Sequence, residues 1–168
     1  TENNSVTGGL GDWSIAYRDK DGKLCVSSYF GARKDARFTG RVIMHNAKWD
    51  IRVLEKHGMK VPNDIVDTMI AAYCLGLGRQ DVDVEGLKQD AGIVGGLGLK
   101  YLARRHLGMP MRTWRDVKDA PREEQEEYNA QDSVATFLLW EKWVDKLPEH
   151  FWKIDMPLLR VLMAMEDR

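Results

Sequence analysis

Two pairs of side chains four residues apart carry the chemistry that this sequence offers. Asn46 and Asp50 follow the short apolar segment Val42-Ile43-Met44 and open a helical pattern, so both can face one side of a first turn at the end of a strand. Tyr128 and Asp132 repeat that spacing inside a longer helical pattern, which sets a phenol beside a carboxylate. Carboxylates brought together from separate elements are hard oxygen ligands, suited to Mg²⁺ or Mn²⁺. Either pair alone arises easily by chance, and a surface or helix-capping Asp is the ordinary explanation for each.

Other candidates are weaker. His45 is read as a packed residue at a strand end, because hard-metal sites prefer oxygen. Gly95-Gly96-Leu97-Gly98-Leu99-Lys100 has neither the Walker spacing nor the dinucleotide-binding glycine spacing and is read as a loop. Arg33, Lys34, Arg37 and Arg41 form a charge run, which is usually a solvated face. Trp140, Trp143 and Trp152 are read as packing residues, not base-stacking platforms.

The elements that must position these residues can be read from spacing. Residues 13–17 and 24–30 are strand-like and flank an Asp-Gly pair, which predicts a β-hairpin. Val42-Ile43-Met44 predicts a brief buried strand, and residues 49–57 a helix with Trp49, Val53 and Leu54 on its spacing, closed by Gly58. A second helix is expected from Asp67 to Gly76, loops over 76–98, and a helix over 99–107 stopped by Gly108 and Pro110. A long helix is expected from about Pro121 to about Lys146, ended by Pro148. Residues 151–168 form a last amphipathic pattern through Ile154, Leu158, Leu159, Val161, Leu162 and Met165. Strands gathered early and helices late predict an α/β or α+β layered fold.

With 168 residues, 43% hydrophobic and 30% charged, the chain suits one core. No apolar run is long enough for a membrane span and the first residues do not form a signal peptide, so the protein is read as soluble, cytoplasmic and monomeric. Cys25 and Cys74 lack any framework or zinc spacing and are read as buried free thiols. A net charge of −1 argues against holding duplex by overall field, although a domain that grips one strand end needs fewer phosphate contacts.

Taken in order along the chain, these motifs resemble the 3′→5′ exonuclease (proofreading) domain of family A, bacterial polymerase-I-like DNA polymerases, in the ribonuclease H-like superfamily. His45-Asn46-Ala47-Lys48-Trp49-Asp50 is similar to that family's second motif, and Asp67-Thr68-Met69 to an Asp-Thr pair that opens a helix. Leu99-Lys100-Tyr101-Leu102-Ala103 with Leu107-Gly108 is similar to the helix between the second and third motifs, and Tyr128 to Asp132 matches the third. Ile154 to Glu166 resembles the segment leading into a polymerase domain, which implies an exonuclease domain over 1–147 and the start of the connection over 148–168.

The resemblance implies a ribonuclease H-like mixed sheet flanked by helices and an Asp-x-Glu first motif, of which only Thr1-Glu2 is present. The Asp, and the apolar central strand carrying it, are expected immediately before Thr1. It further implies hydrolysis of the 3′-terminal phosphodiester of single-stranded DNA with two divalent cations, Mg²⁺ or Mn²⁺. Glu2 and Asp132 are then expected to serve the cation that activates water, Asp50 the other, Tyr128 to orient that water, and Asn46 to support the site or touch the substrate strand. The expected partners are a DNA 3′ end and a polymerase domain in the same natural chain. A ribonuclease D-like RNA trimmer, or a domain retained after its activity is lost, shares most of these motifs.

Overall fold

A computed structural model describes residues 11–38, 40–78 and 96–167. Glu2 and most of the expected glycine-rich loop lie outside the described residues. The fold is mixed α/β. Strand β1 (Asp12–Arg18) pairs antiparallel with β2 (Leu24–Phe30), with Trp13 opposite Tyr29 and their rings stacked 4.5 Å apart. The turn is a five-residue loop, wider than the Asp-Gly pair suggests. Asp19 Oδ1 accepts from the amides of Asp21 and Lys23, and Gly22 takes the left-handed conformation that closes it.

Strand β3 (Val42–Met44) leads into helix α1 (Ala47–Lys56), which crosses to β4 (Ile65–Asp67), parallel to β3, and helix α2 (Thr68–Cys74) follows at once. Among the described residues the strands therefore form two separate pairs, not one continuous sheet. The buried face of α1 is Ala47, Ile51 and Leu54, while Trp49 stands 49% exposed. That rotates the expected face, because Ile51, not Trp49, meets the core.

Helix α3 (Leu99–Leu107) ends in left-handed Gly108 as the sequence predicts, and a short α4 (Trp114–Val117), opened by a Thr113–Asp116 capping box, precedes the long α5 (Arg122–Trp143). After Pro148 the chain makes one widened turn, Phe151–Asp155, before α6 (Met156–Glu166). Residues 151–166 are thus two helical pieces.

Two cores hold these elements. In one, Trp140, Trp143 and Leu139 of α5 pack with Leu102 of α3, Ala71 and Ala72 of α2, Val66 of β4 and Phe151. In the other, Ile51 and Leu54 of α1 pack with Met44, Ile65, Leu159 and Met163. Burying a residue of the size of Phe151 or Ile51 contributes roughly 2–3 kcal/mol. Helix α5 also lies along the hairpin. There Ser14 donates from its hydroxyl to the Asn129 carbonyl at 2.7 Å, Ser133 donates to the Ser14 carbonyl at 2.9 Å, and Arg18 grips Glu141 with two nitrogens. These bonds fix the register of α5, and with it the height of Tyr128 and Asp132.

A candidate cation site between three helices

The β3–α1 junction is built on a backbone exception. Asn46 caps α1 with φ +61°, the one left-handed non-glycine among the described residues. Asn tolerates that region better than most residues. The turn is held by Asp67, which is 1% exposed and accepts the amides of Asn46 at 3.0 Å, Ala47 at 2.7 Å and Met69 at 2.8 Å. One buried carboxylate thereby ties the start of α1 to the start of α2, and its oxygens are committed to backbone donors.

His45 is locked in the same junction. Thr68 donates its hydroxyl to the Met44 carbonyl, so the 2.9 Å contact between Thr68 Oγ1 and His45 Nδ1 assigns the ring proton to Nδ1. Nε2 is buried with no partner in hydrogen-bond geometry. Burial holds this histidine below its ordinary pKa, outweighing the opposite pull of Asp67. It is a neutral, packed side chain, as the sequence suggests.

Asp50, one turn into α1, is half-buried and closely surrounded by protein. Its carboxyl is pushed up to about 7, first by burial and then by the nearby carboxylates of Asp67 and Asp132. Asp132 arrives from α5. Burial raises its pKa, while Lys100 and the Tyr128 hydroxyl, which donates to it, pull the other way. Tyr128 is raised further above its ordinary value by burial and by Asp132, so it stays a neutral phenol that can donate but not act as a base.

Lys100, in the first turn of α3 and only 11% exposed at its side chain, pairs with Asp132 and sets its ammonium 4.2 Å from the Tyr128 ring centre. Asp50, Tyr128 and Asp132 are thus brought together, Asn46 stands exposed at their edge, and Glu2 lies outside the described residues. Sequence reasoning did not single out Lys100 or Asp67 as site residues. A lysine in the first turn of a helix opposes the helix dipole, and that mismatch was the available signal for Lys100.

The charge run of the loop before β3 is solvated, with Arg41 paired to Asp64 at 2.9 Å. Cys25 and Cys74 are free and half-buried, more open than expected.

Carboxylates from α1 and α5, a phenol four residues from one of them, and a strand-to-helix junction locked by Asp67 therefore lie in one region. The profile of the 3′-5′ exonuclease family of DNA polymerases matches residues 37–148, a span that includes Asn46, Asp50, Tyr128 and Asp132. The chain belongs to this 3′-5′ exonuclease family. It is 35% identical over 132 residues to DNA polymerase I of Synechocystis sp., and 31% identical over 140 residues to DNA polymerase I of Chloroflexus aurantiacus. These alignments cover 75% and 73% of the chain but 13% of each polymerase. No solved structure gives a significant match. No helix among the described residues is long and apolar enough to cross a membrane.

Proposed function

We propose that this exonuclease domain removes nucleotides from the 3′ end of single-stranded DNA, as the proofreading part of a longer polymerase, with two divalent cations, Mg²⁺ or Mn²⁺. The observation that carries the reading is the charge imbalance around Asp50, whose carboxyl is held near 7 by burial and by two neighbouring carboxylates. A divalent cation would relieve that repulsion.

The donors fit such an ion. Asp50 and Asp132 offer oxygen only, which suits hard cations. Asp67 does not fit as a ligand, because three amides occupy its oxygens. Asp50, Asp132 and, from outside the described residues, Glu2 would hold the pair. When bound, the cations supply an activated water and stabilise the departing 3′ oxygen.

The chain's own residues supply position. Tyr128 donates its hydroxyl and lies beside Asp132, placed to orient a water at that carboxylate. Asp67 holds the Asn46 turn from which α1 carries Asp50, and Asn46 is exposed where a substrate strand would pass. The two strand pairs and the flanking helices would belong to a ribonuclease H-like fold. Ile154 of the widened turn and Val161 and Met165 of α6 are 60%, 52% and 65% exposed, apolar side chains that a following polymerase domain would cover.

A second reading, a domain kept for structure after its activity is lost, draws on Lys100, which already neutralises Asp132. Titration of the proposed full-length polymerase with Mn²⁺ separates the two. Binding that depends on Asp50 and Asp132, together with Mn²⁺-dependent release of 3′ nucleotides from single-stranded DNA, supports the exonuclease. Absence of both supports the structural domain, and release from RNA alone supports an exoribonuclease.

A further inference from the structure

Away from the carboxylates, three side chains of a different chemical character converge where the end of α2 meets the entry to α6. Cys74 Sγ lies 3.5 Å from Asp155 Oδ2, His150 Nδ1 lies 2.6 Å from the same oxygen, and all three ligand atoms stand within 4.8 Å of one another. Around a tetrahedral zinc ion, S, N and O ligands are separated by roughly 3.3–3.6 Å, from bond lengths of about 2.0–2.3 Å. The thiol and carboxylate are already at that spacing; the imidazole has to move about 0.7 Å away from the carboxylate oxygen and settle at about 3.5 Å from the thiol, from a starting separation within 4.8 Å.

The backbone explains how two of the three come together. His150 and Asp155 are five residues apart, and in a regular α-helix such residues point roughly 140° apart. Here the chain makes a widened turn over Phe151–Asp155, which brings the fifth residue back beneath the first. The turn is anchored by Phe151, fully buried against Trp140 and Trp152. An unfavourable backbone form is therefore held rigidly, and its product is a histidine beside an aspartate facing the thiol of a separate helix.

We propose that Cys74, His150 and Asp155 form a site for a borderline transition-metal ion, Zn²⁺ or Co²⁺, distinct from the hard-cation site at Asp50 and Asp132. A sulfur, an imidazole nitrogen and one carboxylate oxygen select such ions over Mg²⁺. Three protein ligands leave a fourth position open to water. Bound there, the ion would staple the start of the last helical segment to α2. Cys74 is pushed up to about 11, by burial first and by Asp155, so the ion has to displace a thiol proton. That makes the site weaker than an all-thiolate one. The proposal is independent of the exonuclease reading.

The test is Co²⁺ titration of the chelator-treated, reduced protein, read by optical absorption. The expected result is a thiolate-to-cobalt charge-transfer band that saturates at one equivalent. It should survive in Asp132→Ala and Cys25→Ser, vanish in Cys74→Ser, and require at least about tenfold more Co²⁺ in His150→Ala. Since His150 is exposed, that variant leaves the fold intact. If Asp155 is no more than an acceptor for a thiol and an imidazole, Co²⁺ produces no charge-transfer band, which overturns the proposal. A band that persists in Cys74→Ser overturns it equally.

Discussion

The ammonium of Lys100 pairs with Asp132 and sits over the ring of Tyr128, so a single side chain of α3 bridges two residues one turn apart on α5. It supplies positive charge at the point where a cation would be held.

Lys100 therefore competes with a divalent ion for Asp132, and also braces the site without one. Lys100→Gln should lower the melting temperature of the metal-free domain by roughly 2–4 °C, for a loss of about 1 kcal/mol. Its affinity for Mn²⁺, measured by electron paramagnetic resonance, should rise by about threefold to tenfold. Weaker Mn²⁺ binding in this variant would mean that Lys100 presents Asp132 to the ion and does not compete with it.

Asp50 gives a pH dependence of known sign. Its folded-state pKa is raised from 3.8 to about 7, so its contribution to stability is fully present below 3.8 and is lost as pH rises through about 7. Asn mimics the protonated acid. Asp50→Asn should match the wild type near pH 4 and melt roughly 5–10 °C higher near pH 8, after discounting the shift for the site's partial exposure, both without metal. An equal gap at the two pH values would remove charge repulsion as its cause.

Replacing Asp67 should destabilise the fold. An amide offers one acceptor oxygen where three backbone donors now meet a carboxylate, so Asp67→Asn should cost about 2–4 kcal/mol at neutral pH. Chemical denaturation measures this. A loss well under 1 kcal/mol would mean that the turn at Asn46 holds itself.

Much of this could be read before any coordinates. Period-two and helical spacing, with Gly58, Gly76, Gly108 and Pro148 as stops, located the hairpin and the main helices. Strand β4 escaped because three residues, Ile65 to Asp67, are too few to display a period and their strand character comes from pairing with β3. The exposure of Trp49 escaped because helical spacing alone does not say which of two apolar stripes meets the core. Asp50, Tyr128 and Asp132 were legible as two i,i+4 pairs. Asp67 and Lys100 were not legible as site residues, since their roles depend on contacts with residues 20 and 32 positions away. The widened turn at Phe151–Asp155 left no periodic trace at all.

Tyr128 separates orientation from binding. Tyr128→Phe removes only the hydroxyl, so nucleotide release should slow by about tenfold to a hundredfold while Mn²⁺ affinity stays within about twofold. A fall in Mn²⁺ affinity matching the fall in rate would make the phenol part of the cation site.

In the proposed mechanism Asp132 holds a catalytic cation. The direct measurement is single-turnover release of the 3′-terminal nucleotide from labelled single-stranded DNA by the proposed full-length polymerase, wild type against Asp132→Ala, with Mn²⁺ binding followed on the same preparations. Cation-dependent release is expected in the wild type, with a loss on the order of a thousandfold in the variant and weaker Mn²⁺ binding at unchanged fold. Release at the wild-type rate by folded Asp132→Ala would contradict it.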